Sequence, residues 1–287
     1  MKFIRYYYCM LDIRQKLSIL LCLSLSVFSL HAEDIHWFKA DFEPCHVLDK
    51  TKKAGYCDLI DKLTIDTLPE YHHTFEFSTL GRYANIMKTE KEFCTTDLLR
   101  SPQREKYMVY SNTRLYILSN GLLARKGDTR LDPYLNDEGE IELKQILRSK
   151  LVLGLNKRRI YGAGIDNLLR DRGNTSPIAF TAIENKIAQL LVKKRFDYTM
   201  GLPTEIGFIE QDAKLQRQVV FFPIAGKTRL LPTYVSCRKS KLGQQIINKI
   251  NQRFRIEDDE AITQAYLSWI PKGQHHYYRN LLSAIAK

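Results

Sequence analysis

The chain has 287 residues, 44% of them hydrophobic and 26% charged. That is one large domain or two small ones with length enough to bury a core, and it excludes a long disordered chain, a fibre and a polytopic membrane protein. With 44 Lys+Arg against 32 Asp+Glu the formal net charge is +12, which admits acidic partners of several kinds without choosing among them.

Residues 1–32 read as a targeting segment. Lys2, Arg5, Arg14 and Lys16 form a basic front, Leu17 to Leu30 is an apolar run broken by serines and Cys22, and Ala32 follows. Basic front, apolar middle and small residue make a secretory signal cleaved after Ala32. The run is 14 residues, short of the roughly 20 a membrane span needs. An uncleaved anchor helix is the other reading. Removing 1–32 takes away those four basic residues and Asp12, which leaves a mature chain of +9. The expected product is exported and periplasmic. Cys9 and Cys22 leave with the leader. Cys45, Cys57, Cys94 and Cys237 stay, an even number that permits zero, one or two disulfides in an oxidising compartment. Cys45–Cys57 is the easier short loop and would leave Cys94–Cys237. Four buried thiols are the alternative.

Along the mature chain, strand and helix patterns alternate. Ile35–Ala40 reads as a strand, 55–68 as a helix on Leu59, Ile60 and Leu63, and His73–Phe77 as a strand. Arg82–Thr89 suits a helix and Phe93–Thr95 a short strand, with Tyr107–Ser111 and Leu115–Leu118 extended. Gly121 to Gly139 is polar and turn-rich, a surface excursion between halves. The second half continues with strands at Leu151–Leu155, Phe196–Met200 and Val219–Phe222. Its helices are expected over Ile165–Arg170, Ile183–Val192 and Leu242–Phe254. The alternation predicts an α/β protein of two lobes, each a mainly parallel sheet flanked by helices, with a ligand cleft between.

Three segments carry groups suited to binding. Ser101-Pro102-Gln103-Arg104-Glu105-Lys106 follows a strand, and Arg104 could fork onto a carboxylate. Tyr161-Gly162-Ala163-Gly164 precedes a helix, where glycines let backbone N–H groups approach an anion. Glu205 stands just beyond the Phe196–Met200 strand, placed to hold an ammonium or serve as a general base. Each also has a plain structural reading: a solvated helix start, a simple turn, an exposed loop acid. His72-His73 and His275-His276 lack further ligands at metal spacing and read as structural. The chain has no C-x-x-C, G-x-S-x-G, Walker A or H-E-x-x-H motif, and its basic residues are scattered, unlike those of a nucleic-acid protein.

Taken in order, these motifs resemble a family 3 extracellular solute-binding protein with the type 2 periplasmic-binding-protein fold, especially a proteobacterial branch of that family. The resemblance runs through Trp37 to Pro44, Leu68-Pro69-Glu70-Tyr71-His72-His73, Gly81-Arg82, Cys94 and Ser101 to Lys106. It continues through Arg159 to Asp166, Arg195-Phe196-Asp197-Tyr198, Pro203-Thr204-Glu205 and Cys237 to Gly243. It implies lobe 1 over 33–116 plus 236–287 and lobe 2 over 117–235. It implies that Arg104 clamps a ligand carboxylate and that Phe42, beside Asp41, packs on the ligand. The turn Tyr161-Gly162-Ala163 would donate backbone hydrogen bonds. Leu202 falls where amino-acid-binding members carry an aspartate for the α-ammonium, which leaves Glu205 as the nearest acid. The family's ligand-touching serines are replaced around Thr95, Thr96 and Asp97. The implied function is hinge closure over a small amino-acid-like or carboxylate-bearing solute by a monomer, for ABC-type uptake through an inner-membrane permease or for a sensor. No cofactor, metal, reaction or nucleic acid is implied. The rival readings are a dehydratase-like periplasmic enzyme using Glu205, and a basic macromolecule-binding protein.

Overall fold

The computed structural model describes residues 33–49, 51–89, 91–157, 159–171, 177–181 and 187–285. Residues 1–32, the expected leader with Cys9, Cys22 and Ala32, lie outside them, as does the start of the helix expected over Ile183–Val192. Among the described residues no helix is long and apolar enough to cross a membrane.

The first sheet contains β1 (Asp34–Ala40), β2 (His72–Ser78), β3 (Cys94–Leu99), β4 (Met108–Leu118) and β10 (Leu230–Arg238), in the order β2-β1-β3-β10-β4. The second contains β5 (Gly121–Arg125), β6 (Leu153–Asn156), β7 (Ile178–Thr181), β8 (Tyr198–Gly201) and β9 (Val219–Phe222), in the order β7-β6-β8-β5-β9. Four strands of each sheet share a direction. The reversed ones are β10 and β5, the first strand laid down after each crossing between the sheets. The mainly parallel expectation therefore holds, with a specific exception in each lobe.

Helices α1 (Tyr56–Asp66), α2 (Leu80–Ile86), α7 (Lys241–Arg253), α8 (Ile256–Leu267) and α9 (His275–Ile285) belong with the first sheet. The short α3 (Leu143–Ile146) and helices α4 (Ala163–Asp171), α5 (Ile187–Val192) and α6 (Pro203–Ile209) belong with the second. Local chemistry sets their starts. Asp58 accepts from the Gly55 N–H at 2.8 Å to begin α1, and Ser240 accepts from Gly243 N–H at 2.9 Å to begin α7. Thr79 accepts from Arg82 N–H, so α2 begins at Leu80 and ends at Ile86, earlier than the expected helix over Arg82–Thr89. The largest core packs Trp37, Ile60, Leu68, Ile246, Ile262, Tyr266 and Trp269 on one face of the first sheet. Phe38, Tyr83, Met87 and Phe93 cover the other face. The second sheet has its own cores, one around Leu122, Ile146 and Tyr198 and one around Leu123, Leu191 and Ile206.

One expectation fails. Gly121 to Gly139 is not wholly a surface excursion, because its first five residues form β5, hydrogen-bonded between β8 and β9. Leu122, Leu123 and Ala124 are fully buried. A strand covered on both faces shows no polar alternation, and five residues are too few to stand out before the charged turn that follows. Two other segments run further than expected. The separate stretches Tyr107–Ser111 and Leu115–Leu118 are one long strand, β4, and β3 extends to Leu99.

The first sheet keeps the chain through Leu118 and takes it back at Leu230, which pairs with Leu118. The crossings lie at Ser119–Asn120 and over 223–229. The lobe edges expected at 116/117 and 235/236 fall inside β4 and β10, because long continuous strands carry no composition break where the chain changes lobe. Two disulfides close the first lobe. Cys45–Cys57 clips the loop after β1 to the first turn of α1, and Cys94–Cys237 joins β3 to β10 at directly opposed register positions.

Candidate functional site

A cleft of about 280 Å³ opens between the lobes. Its first-lobe wall comes from the carboxyl ends of β1 and β3 and from helix α2, with Phe42, Asp97, Leu99, Tyr83 and Arg104; its second-lobe wall brings Arg159, Ile160 and Leu202, with Asn120 at the crossing. Ligands of open α/β sheets bind at such carboxyl edges, because the loops there converge from several strands.

Arg104 sits on a one-turn 3-10 helix after β3. Its Nη1 donates to Leu99 O at 2.7 Å, which draws the guanidinium back over the end of β3. Among the described residues no carboxylate forms an ion pair with it. A half-buried, unpaired guanidinium facing a cleft is an anion receptor with donors to spare. Phe42 also lines the cleft. Asp41 does not, and its backbone N–H is bonded to Ser78 O. Thr95 and Thr96 are buried beneath the wall. Thr95 Oγ1 donates to Asp97 Oδ1 at 2.8 Å, and Thr96 Oγ1 donates to Asp61 Oδ1. The strand thus presents Asp97, not the two threonines.

The second-lobe turn is engaged otherwise than the resemblance implies. Tyr161 N–H and Gly162 N–H both donate to the carboxylate of Asp166, at 3.1 and 3.0 Å. Asp166 thereby holds the donors that a ligand carboxylate would have met. Gly162 has φ +111°, a left-handed conformation open to glycine, and the turn leads into α4 at Ala163. The Tyr161 ring is buried, and its OH accepts from Asn156 N–H at 3.0 Å.

Glu205 is also committed within the protein. It accepts from Leu202 N–H at 2.8 Å, capping α6, and pairs through Oε1 with Arg159 Nη1 at 2.7 Å. Arg159 is the residue that sequence reasoning passed over, seen there only as the first letter of a motif. Its side chain is 8% exposed. It donates through Nη2 to Asn120 Oδ1 at 2.8 Å, and its guanidinium lies 5.3 Å from the ring centres of both Phe42 and Tyr161. One arginine therefore ties the second lobe to the crossing and to the first-lobe aromatic. No pattern in the sequence signals this, because its partners come from four separate segments.

Asp97 is the one acid among the residues lining the cleft. Tyr83 OH donates to Thr95, which in turn donates to Asp97. Burial, with Asp97 nearby, pushes the Tyr83 phenol well up, so it remains a neutral donor. Tyr56 is raised likewise by burial and by Asp97 and Glu205. His46, Asp58 and Asp61 place ligand atoms within 4.8 Å of one another, a metal-like grouping. Lys39 Nζ already sits 2.5 Å from Asp61 Oδ2 and supplies a cation there, while Asp58 caps α1. The paired histidines prove structural. His73 accepts from Trp37 Nε1, His72 meets Asp34, and His275 meets Ile270 O.

No protein-family model matches the sequence, and no curated protein does. Solved structures do match. A probable amino-acid ABC transporter extracellular-binding protein from Bacillus subtilis superposes with a TM-score of 0.60 at 16% identity, over 84% of this chain and 99% of that one. An amino acid ABC transporter substrate-binding protein from Streptococcus pneumoniae, bound to L-arginine, gives 0.57 at 15% identity over 83% and 97%. With the strand order of both sheets and the double crossing, these superpositions decide the fold. The chain is a two-lobed type 2 periplasmic-binding-protein fold. An ancestral amino-acid-binding protein, a precursor of cyclohexadienyl dehydratase, superposes with a TM-score of 0.59 at 16% identity, over 83% and 96%. The fold therefore houses both binding proteins and a line leading to an enzyme, and the cleft residues carry the functional argument.

Proposed function

We propose that this chain is an exported family 3 solute-binding protein, of the proteobacterial branch whose motif order it shares. It acts as a monomer that closes on a small, carboxylate-bearing, amino-acid-like solute and presents the closed form to an inner-membrane permease or a sensor. The 1–32 segment serves as its cleaved leader and directs it to the periplasm. Lobe 1 consists of residues 33–118 plus 230–287, and lobe 2 lies between. The observation that carries this reading is Arg104, a guanidinium facing the cleft with no carboxylate partner among the described residues. The solute carboxylate is that partner. Phe42 packs against the solute's apolar part. Glu205 is a structural partner of Arg159 and not the ammonium site. An enzyme relying on Glu205 as acid or base is disfavoured because its Oε1 is already engaged by Arg159 Nη1 and Leu202 N–H.

The test is thermal unfolding of residues 33–287, stripped of co-purified solute by unfolding and refolding, against amino acids, organic acids, amines and sugars. A solute at 100 times its Kd adds about 2.7 kcal/mol. In a chain of this size that raises Tm by roughly 5–10 °C. The expected result is a carboxylate-bearing solute whose shift is lost in Arg104→Ala. A shift that survives Arg104→Ala, or a flat panel, would overturn the proposal.

A further inference from the structure

Behind Asp97 lies a charged cluster that carboxylate binding by Arg104 does not use. His46 is fully buried. Its Nδ1 stands 3.4 Å from Asp58 Oδ1 and 3.4 Å from Asp61 Oδ2, and its Nε2 stands 3.7 Å from Asp97 Oδ2. The groups around the imidazole come from every element packed on it. Asp58 and Asp61 belong to α1, Asp97 to β3 and Lys39, reaching it through Asp61, to β1; Phe77 of β2 presents its ring at 6.4 Å. The Cys45–Cys57 disulfide closes the remaining side.

The carboxylates around the ring bear on its charge state. A neutral imidazole offers one donor and one acceptor nitrogen. Here Nδ1 lies within hydrogen-bond distance of Asp58 Oδ1, while the buried Nε2 makes no hydrogen bond and stands 3.7 Å from Asp97 Oδ2, so a neutral ring protonated on Nδ1 would leave its Nε2 lone pair beside that carboxylate. The charge count agrees. Asp58, Asp61 and Asp97 bring three negative charges against the one positive charge of Lys39, and buried carboxylates need compensation. Burial alone pushes the His46 pKa down, but the hydrogen bond to Asp58 and the charges of Asp61, Asp97 and Asp58 outweigh it, and the pKa lies above the ordinary value.

We infer that His46 is held as an imidazolium and is the positioning residue for Asp97, and that Asp97 is the cation-anchoring carboxylate of the cleft. The inference rests on the solute-binding reading for the identity of the cleft, and it names the second ionic group of the solute as an amine. Both anchors, Arg104 and Asp97, then belong to the first lobe, and the second lobe closes with Arg159, Ile160 and Leu202. The His46 proton and a bound ammonium draw on the same carboxylate. Ammonium binding at Asp97 therefore weakens proton binding at His46, and by reciprocity the ammonium binds more tightly as the pH rises through the His46 pKa.

The test is long-range proton–nitrogen NMR of the imidazole nitrogens in residues 33–287, with His46 assigned from His46→Gln. Methylammonium chloride is the probe, against potassium chloride at matched ionic strength. In the wild type both His46 nitrogens should be protonated at neutral pH, and rising methylammonium should lower the His46 pKa. In Asp97→Asn the pKa should be lower from the start and insensitive to methylammonium. A neutral His46 at neutral pH would overturn the imidazolium. A His46 pKa that ignores methylammonium in the wild type, which needs no variant to fold, would overturn the cation site. Neither result depends on the solute panel. A flat panel beside a responsive His46 removes the carboxylate reading of Arg104 and leaves the pair, and the converse result removes the pair alone.

Discussion

Replacing Arg159 by Met should destabilise the protein far more than a surface substitution. The side chains of Arg159 and Glu205 are 8% and 10% exposed and meet at 2.7 Å. Methionine keeps much of the apolar stem but removes the charged guanidinium over Phe42 and Tyr161 and its bond to Asn120. Glu205 would then be a buried carboxylate supported by Leu202 N–H alone. Breaking a buried pair in this way typically costs about 3–5 kcal/mol, and the helix N-terminus beside Glu205 places this case near the lower end. At about 2–4 °C per kcal/mol for a chain of this size, the loss of about 3 kcal/mol lowers Tm by roughly 6–12 °C. Arg159→Met combined with Glu205→Leu removes both charges and should recover most of it. Calorimetry and guanidinium unfolding of residues 33–287 measure both variants. A loss below about 1 kcal/mol in the single variant, against the burial argument, would refute the reasoning. So would a double variant less stable than the single one.

Three further outcomes follow from the same structure. Arg253 and Lys249 hold the Glu70 carboxyl down at about 2, below its ordinary 4.5, so its contribution is present above about pH 4.5 and lost as the pH falls through about 2. Because Glu70 is well exposed, Glu70→Gln should lower the urea midpoint only slightly at pH 7, and less in high salt; a penalty that grows on acidification would contradict this. Gly207 lies against the backbone of Trp269, where an added Cβ would come within 1.9 Å of the carbonyl oxygen. Gly207→Ala should therefore cost about 1–3 kcal/mol, and an unchanged Tm would show that α6 and the Trp269 segment separate freely. Finally, Cys94–Cys237 closes a far longer loop than Cys45–Cys57, with sequence separations of 143 and 12. Removing the long-loop pair to alanine should cost more, about 4–5 kcal/mol against about 3 in the chain-entropy account; equal midpoints would speak against that account here.

The elements whose apolar residues alternate or recur on a helical period were legible in the sequence. β1, β2 and β9 and helices α1, α4 and α7 stand within a few residues of their expected places, and the α/β character of both lobes follows from them. β5 was not legible, because its residues are buried on both faces and carry no period. Of the binding candidates, Arg104 and Phe42 do line the cleft. Thr95 and Thr96 do not, since both are buried and their hydroxyls are bonded to Asp97 and Asp61. Tyr161 and Gly162 were read as donors to a ligand, but a carboxylate five and four residues ahead already takes their N–H groups.

What the sequence by itself determined is local: periodicity, caps, cysteine number and the motif order that resembles solute-binding proteins. These depend on residues within a few positions of one another. What only the tertiary structure decided is pairing. Arg159 with Glu205 and Asn120, His46 between Asp58, Asp61 and Asp97, and Cys94 opposite Cys237 each join segments a dozen residues or more apart. How far a charge can still meet a ligand depends on how fully the groups within about 4 Å of it already engage it, because a buried charge is strongly coupled to a near neighbour and weakly to a distant one. That distance separates Arg104, which has no carboxylate partner among the described residues, from Glu205, paired with Arg159 at 2.7 Å.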